Sequence, residues 1–247
     1  MFNLSTKKTT FALQNQEKMA KKIDKTEDKI VAVEEALGRT EQFIENNQKT
    51  LTIIISVIII IVLGFFGYKK FVVHPMEKEA QSQIFMAEMY FQKDSLDKAL
   101  YGDGNYLGFI DIVDEYGITQ TAKLANYYAG ICLLKKGQFE DAISYLKDFS
   151  VNDHIIAPMA LGAIGDAYSE LKDFDKAASY YMNAANEDNN EFTSPTFLFK
   201  AGLTYEILKD YNNALKVYQR IQDDYKNSSE ARDIEKYIAR AKQIASK

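Results

Sequence analysis

Tryptophan is missing from the 247 residues, cysteine occurs once, proline three times and histidine twice. A lone Cys132 can neither close a disulfide within the chain nor supply a cysteine-based zinc site, and it does not report the redox compartment. So few prolines leave most of the chain free to be helical. His74 follows an apolar run and His154 sits in a linker; both stand outside any nucleophile or metal spacing and read as ordinary surface residues. No Gly-x-Ser-x-Gly, His-Glu-x-x-His or nucleotide fingerprint occurs, so no catalytic residue, cofactor or metal is expected. Paired acids such as Glu140-Asp141 and Asp223-Asp224 fall in turns or on polar helix faces, where solvated charge is the default. Residues 74–247 carry 19 Lys/Arg against 27 Asp/Glu. An acidic domain without a basic stripe argues against a nucleic-acid partner.

The most informative absence is of charge. From Thr50 to Tyr68 there are 19 uncharged residues, and 13 of the 16 positions from Leu51 to Phe66 are Leu, Ile, Val or Phe. At about 1.5 Å per residue the run spans roughly 28 Å, close to a bilayer core of about 30 Å. A transmembrane helix over residues 50–73 is the expectation, with Ile58 as its candidate contact position. A buried strand or core helix competes, but strands are usually under about ten residues. A cleaved signal peptide competes too, but fifty residues precede this run and no small-residue cleavage site follows it. Local charge does not orient the span: Arg39 and Lys49 precede it, while Lys69, Lys70 and Lys78 follow. The nine basic residues among residues 1–50 lean toward a cytoplasmic N-terminus.

Residues 1–22 show no sustained apolar period and are expected to be a flexible tail. In residues 23–48, Ile23, Ile30, Val33, Leu37 and Ile44 form a stripe on a charged helix. That helix reads as a solvated juxtamembrane segment, a self-association or partner-docking surface, or a membrane-surface helix, and Gly38 weakens any long coiled coil.

Residues 76–247 contain an internal repeat. Gly130, Gly165 and Gly202 are each followed twelve residues later by Ala142, Ala177 and Ala214. Phe139, Phe174 and Tyr211 stand three before these alanines, and Leu146, Tyr181 and Tyr218 four after them. The spacing predicts helical hairpins whose backbones approach at the small residues while bulky side chains fill the volume beside them. Such hairpins stack to share a core. Pro158 and Pro195 suit first helical turns, and Ser194 is the expected N-cap before Pro195. An earlier unit keeps the register through Ala87, Tyr90 and Ala99, then is interrupted at residues 101–105 before an apolar helix over residues 106–116. The interruption, LYGDGN, reads as a plain helix break or a binding loop, although it lacks the carboxylate series of a calcium loop and the Lys-Ser/Thr of a phosphate loop. A charged helix over residues 229–245 is expected to cap the array.

These repeats resemble the tetratricopeptide family. Tyr168 and Tyr205 keep a tyrosine common in that family, Ile131-Cys132-Leu133 departs from it, and Asn126, Leu161 and Leu198 occupy the usual tryptophan place. The resemblance implies an all-α solenoid of about four repeats after a single N-proximal span. It also implies a concave groove lined by the first helix of each hairpin. Its candidate binding residues are Tyr127, Ile131 and Leu134, then Gly162, Asp166 and Ser169, then Phe199, Leu203 and Glu206. This mixed aromatic and acidic set suits an extended or helical segment with apolar and basic side chains, although some of these residues would instead support the neighbouring repeat. The Lys and Asn clamp of repeats that capture a C-terminal carboxylate is missing.

The whole arrangement is similar to the bacterial ancillary SecYEG translocon subunit family, through SLDKALYGDGNYLGFIDIVDEYG, LANYYAGICLLKKG and ALGAIGDAYSELKDFDKAASYY, over roughly residues 30–240. That resemblance implies a non-enzymatic inner-membrane protein with its repeats in the periplasm, meeting emerging chains or periplasmic chaperones beside the translocon. The alternative is a scaffold for envelope assembly or division that forms homo-oligomers through residues 23–48.

Overall fold

The structure, a computed structural model, describes residues 42–246. The expected tail and most of the juxtamembrane helix lie outside the described residues. The chain parts into two compact units between Gly67 and Tyr68. Among the described residues there is no strand.

Helix α1 (residues 42–68) contains the uncharged run. The apolar window within it is long enough to cross a membrane, and none of that window is buried. Ile53, Ile58, Leu63 and Phe66 are all exposed, Ile58 to 54%. A core helix or a buried strand would have covered these side chains.

The second unit begins with a π-helical turn, Lys69–Val73, that leads into α2 (His74–Gln92). Then come α3 (Leu96–Tyr101), α4 (Phe109–Tyr116), α5 (Gln120–Lys135), α6 (Phe139–Asp148), α7 (Ile156–Glu170) and α8 (Phe174–Glu187). The series ends with α9 (Ser194–Ile207), α10 (Tyr211–Asp224), a 3₁₀ turn (Glu230–Asp233) and α11 (Ile234–Ala245). Helices α5/α6, α7/α8 and α9/α10 are the three hairpins that the repeat spacing predicts.

Their packing follows from the residues without side chains. A Cβ on Gly130 would meet Leu146 Cγ at 2.5 Å, and one on Gly165 would meet the Tyr181 ring at 2.6 Å. Gly202 faces the Tyr218 ring still more closely. The same offset of sixteen residues joins glycine to bulky partner in all three hairpins, so each first helix is notched where its second helix presses in.

Each hairpin also closes with one turn geometry. Seven residues after Ala87, Gly130, Gly165 and Gly202, the backbone turns left-handed at Asp94 (φ 56°), Gly137 (φ 77°), Lys172 (φ 61°) and Lys209 (φ 62°). The next N–H returns to the first helix: Ser95 to Tyr90 O (2.9 Å), Gln138 to Leu133 O (2.9 Å), Asp173 to Tyr168 O (2.9 Å) and Asp210 to Tyr205 O (2.8 Å). This is the helix-ending pattern that satisfies the last carbonyls. Its presence at Asp94 makes α2–α4 a fourth unit of the same kind.

In that earliest repeat the second helix is split. Helices α3 (6 residues) and α4 (8 residues) together match the 14 residues of α8. Between them Asp103 closes the interruption: its Oδ1 accepts from the N–H of Asn105 and of Tyr106 (both 3.0 Å), and its Oδ2 accepts from Tyr90 OH (2.6 Å). Gly102 (φ 76°) tolerates no side chain, because a Cβ there would strike Tyr106 O. The expected helix start at residue 106 is therefore shifted to Phe109, because this loop consumes residues 102–108 and Gly108 N–H is held by Asp111 Oδ2 (3.2 Å).

Two further expectations are corrected. Ser194 does not cap α9: Asn190 Oδ1 accepts from the N–H groups of Phe192 (2.8 Å) and Thr193 (2.7 Å), while Ser194 Oγ is buried without a partner. The C-terminal helix begins at Ile234, because residues 230–233 form a 3₁₀ turn instead. Pro158 and Pro195 do lie in first turns, those of α7 and α9.

Candidate functional site

The first helices α2, α5, α7 and α9 carry equivalent positions along one face, and the spacing of contacts between them shows how that face is assembled. Lys200 Nζ on α9 donates to both oxygens of Asp166 on α7 (2.7 and 2.9 Å). Arg240 on α11 donates to Glu206 on α9 (2.5 Å). Both pairs are separated by 34 residues, as are Thr196 Oγ1 with Glu230 (2.7 Å) and Arg220 with Asn186 (2.6 Å). Helix α2 is joined to α5 by Glu77, whose carboxylate accepts from Gln120 N–H (2.7 Å) and Thr121 Oγ1 (2.7 Å) at the start of α5. Burial opposes ionisation of Glu77, but these hydrogen bonds outweigh it and lower its pKa.

The notch residues reach the same face. Tyr181, whose ring fills the space beside Gly165, donates its hydroxyl to Asp166 Oδ1 (2.7 Å). Tyr218, beside Gly202, donates to Glu206 Oε1 (3.2 Å). Burial, then the adjacent carboxylate, raises both phenol pKa values far above the ordinary range. In the α5/α6 hairpin the notch holds Leu146, which has no hydroxyl, and the position after the glycine is Ile131, which has no carboxylate. A notch tyrosine thus meets a carboxylate of its own first helix at Asp166 and Glu206, and the notch leucine does not.

Leu134, Asp166 and Ser169 line one cleft of about 550 Å³, together with Lys135, Gly137, Phe139, Glu170, Tyr181 and Lys200. Sequence reasoning missed Phe139 and Lys200 as lining residues. Phe139 was visible only as a repeat aromatic, and Lys200 arrives from the next hairpin. Tyr127 and Ile131 are partly buried against another cluster, where Tyr127 lies 5.7 Å from the Phe149 ring. Phe199 packs edge-on against Tyr237 of the capping helix at 4.8 Å. Leu203 is 36% exposed, and Glu206 is engaged by Arg240 and Tyr218. Gly162 is unsuited to touch a ligand, being buried directly beneath the Phe197 ring. The two acids expected to meet basic ligands, Asp166 and Glu206, therefore already hold a cation from 34 residues further along the chain.

Outside this face, His154 Nδ1 lies 2.6 Å from Asp188 Oδ1, again 34 residues away, and Asn190 Nδ2 donates to His154 O (2.9 Å). The histidine is exposed, yet it links two successive inter-hairpin loops. Cys132 is buried, and burial pushes its thiol up to about 12, which leaves it unreactive near neutral pH. Among the described residues, no three His, Cys, Asp or Glu side chains converge as metal ligands would.

Comparison with known families agrees with the hairpin register. Models described as tetratricopeptide repeat match residues 124–152, 160–191 and 197–228, which correspond to α5/α6, α7/α8 and α9/α10. No curated protein matches the sequence.

Proposed function

We propose that this chain is a membrane-tethered, non-enzymatic module that holds polypeptide segments in the groove of its tetratricopeptide repeats. Repeats of this family mediate protein–protein interaction, which supports the binding role. The observation that carries the tethering is the juxtaposition in sequence of an unburied apolar helix of bilayer length with the first hairpin only a few residues later. Such a tether confines the groove near one membrane face and raises its effective concentration toward partners in that membrane, so each contact can be weak.

The similarity to ancillary SecYEG subunits supports a more specific reading. In it the N-terminus is cytoplasmic, the repeats face the periplasm of a bacterial inner membrane, and the module meets emerging chains or periplasmic chaperones beside the translocon. The experiment is in-cell crosslinking from photoreactive residues at Tyr127, Phe199 and Ile58, with purification in detergent. Translocon subunits and unfolded polypeptides are the expected adducts, and releasing the repeats from α1 is expected to lose the former. Unchanged recovery without α1 rejects the tethering role. Adducts restricted to a second copy of the chain and to envelope-synthesis proteins would replace the translocon reading with an envelope scaffold.

A further inference from the structure

The acids of the first-helix face are not treated alike. One residue after each small residue of the repeat come Glu88, Ile131, Asp166 and Leu203. Two residues before the small residue of the following repeat stand Tyr128, Ala163 and Lys200, so equivalent neighbours are Glu88/Tyr128, Ile131/Ala163 and Asp166/Lys200. At the third junction the carboxylate meets an ammonium group at 2.7 Å. At the second junction both members are apolar. At the first junction the carboxylate is present and a tyrosine takes the place of its cation.

Tyr128 is committed elsewhere. Its ring stacks on Phe109 at 5.0 Å and 12° and meets Phe91 at 5.2 Å. Lys135, whose ammonium lies over the Phe91 ring, is paired with Asp94 at 2.9 Å. Among the described residues, no hydrogen bond or ion pair engages the Glu88 carboxylate, although the residue is partly buried. Burial alone raises its pKa, and its charge is felt at the Tyr128 hydroxyl. A partly desolvated carboxylate without a counter-ion is unfavourable. An incoming ammonium or guanidinium group would relieve it, and the apolar stem behind that group can lie along the neighbouring aromatic rings.

We infer that Glu88 is where the groove takes a lysine or arginine side chain of a bound polypeptide, which supplies the cation that Lys200 provides internally at Asp166. This rests on the groove reading above. Within the unit the occupant cannot come from the next hairpin, whose equivalent position is filled by Tyr128.

The test uses the full chain in nanodiscs of zwitterionic lipid, panned against a displayed library of random linear peptides. Selected peptides are expected to be enriched in Lys or Arg. For a selected peptide, Glu88→Gln is expected to weaken binding about tenfold, the size of one charge-assisted contact. Replacing the peptide's basic residue by norleucine leaves the protein untouched and should weaken binding to the wild type by the same factor, but binding to Glu88→Gln hardly at all. Selected peptides that lack basic residues, or that bind wild type and Glu88→Gln equally, would overturn this assignment while leaving the groove intact. Failure to select any peptide with either protein would overturn the groove reading itself, and this inference with it.

Discussion

Lys200 reaches back 34 residues to chelate the Asp166 carboxylate through both oxygens, and the same carboxylate accepts the Tyr181 hydroxyl. One acid therefore ties a first helix to its own second helix and to the next hairpin. The two contacts differ in worth. The ion pair is more than one-third exposed on both sides, so Lys200→Met should cost under about 1 kcal/mol. Asp166→Ala also strands the buried Tyr181 hydroxyl and should cost about 1–3 kcal/mol. Urea denaturation of both variants separates them, and equal losses would show that the phenol contact contributes nothing.

The four hairpin turns make a prediction about backbone strain. Lysine at Lys172 and Lys209 occupies a left-handed conformation that glycine adopts without penalty. Lys172→Gly and Lys209→Gly should each stabilise the protein by about 0.5–1 kcal/mol, while Gly137→Ala should destabilise it by about 1 kcal/mol. Thermal melts of the three variants check the signs, and destabilisation by both lysine replacements would contradict the account.

At the start of α9 two substitutions should behave oppositely to a reading of the local sequence. Ser194→Ala removes a buried hydroxyl that bonds nothing, so it should be neutral or stabilising by up to about 1 kcal/mol. Asn190→Ala strips the side-chain acceptor from Phe192 and Thr193 and should cost about 1 kcal/mol. A loss of stability in Ser194→Ala as large as that in Asn190→Ala would restore serine as the cap.

The His154–Asp188 contact gives stability a pH dependence. The hydrogen bond to Asp188 raises the His154 pKa above its ordinary 6.5, and the same bond lowers Asp188 below 3.8. The raised histidine contributes stability that is fully present below pH 6.5 and fades as pH rises through the folded-state value. The depressed aspartate contributes above pH 3.8 and fades as pH falls through its own folded-state value. Stability from this pair should therefore be greatest between those two limits. NMR titration of the His154 ring should return a value above 6.5 that drops in Asp188→Asn. An unshifted value in the wild type would remove the link between the two loops.

How far the sequence was readable depends on the range of the interaction. The glycine, alanine and bulky positions recur at 12 and 16 residues because a hairpin is a local object, and steric exclusion between its two helices leaves its mark on one short stretch. The left-handed turns were less visible: only Gly137 advertises a positive φ, whereas Asp94, Lys172 and Lys209 accept it under pressure from the hairpin. The interrupted unit was legible through Ala87 and Ala99, but the closure of its loop by Asp103 on Tyr90 was not, since nothing in the residue types distinguishes that carboxylate from a solvated one.

Composition and periodicity were enough to establish a helix with an uncharged run of membrane length and a stack of helical hairpins, because hydrophobic burial and close backbone approach act on residue types at fixed short spacings. Which acids of the groove are spoken for depended on packing between hairpins. Asp166 and Glu206 find their cations one repeat away, while the place opposite Glu88 is filled by a tyrosine already stacked on Phe109. Electrostatic pairing depends on distance in space, and 34 residues of intervening chain hide it from any local pattern.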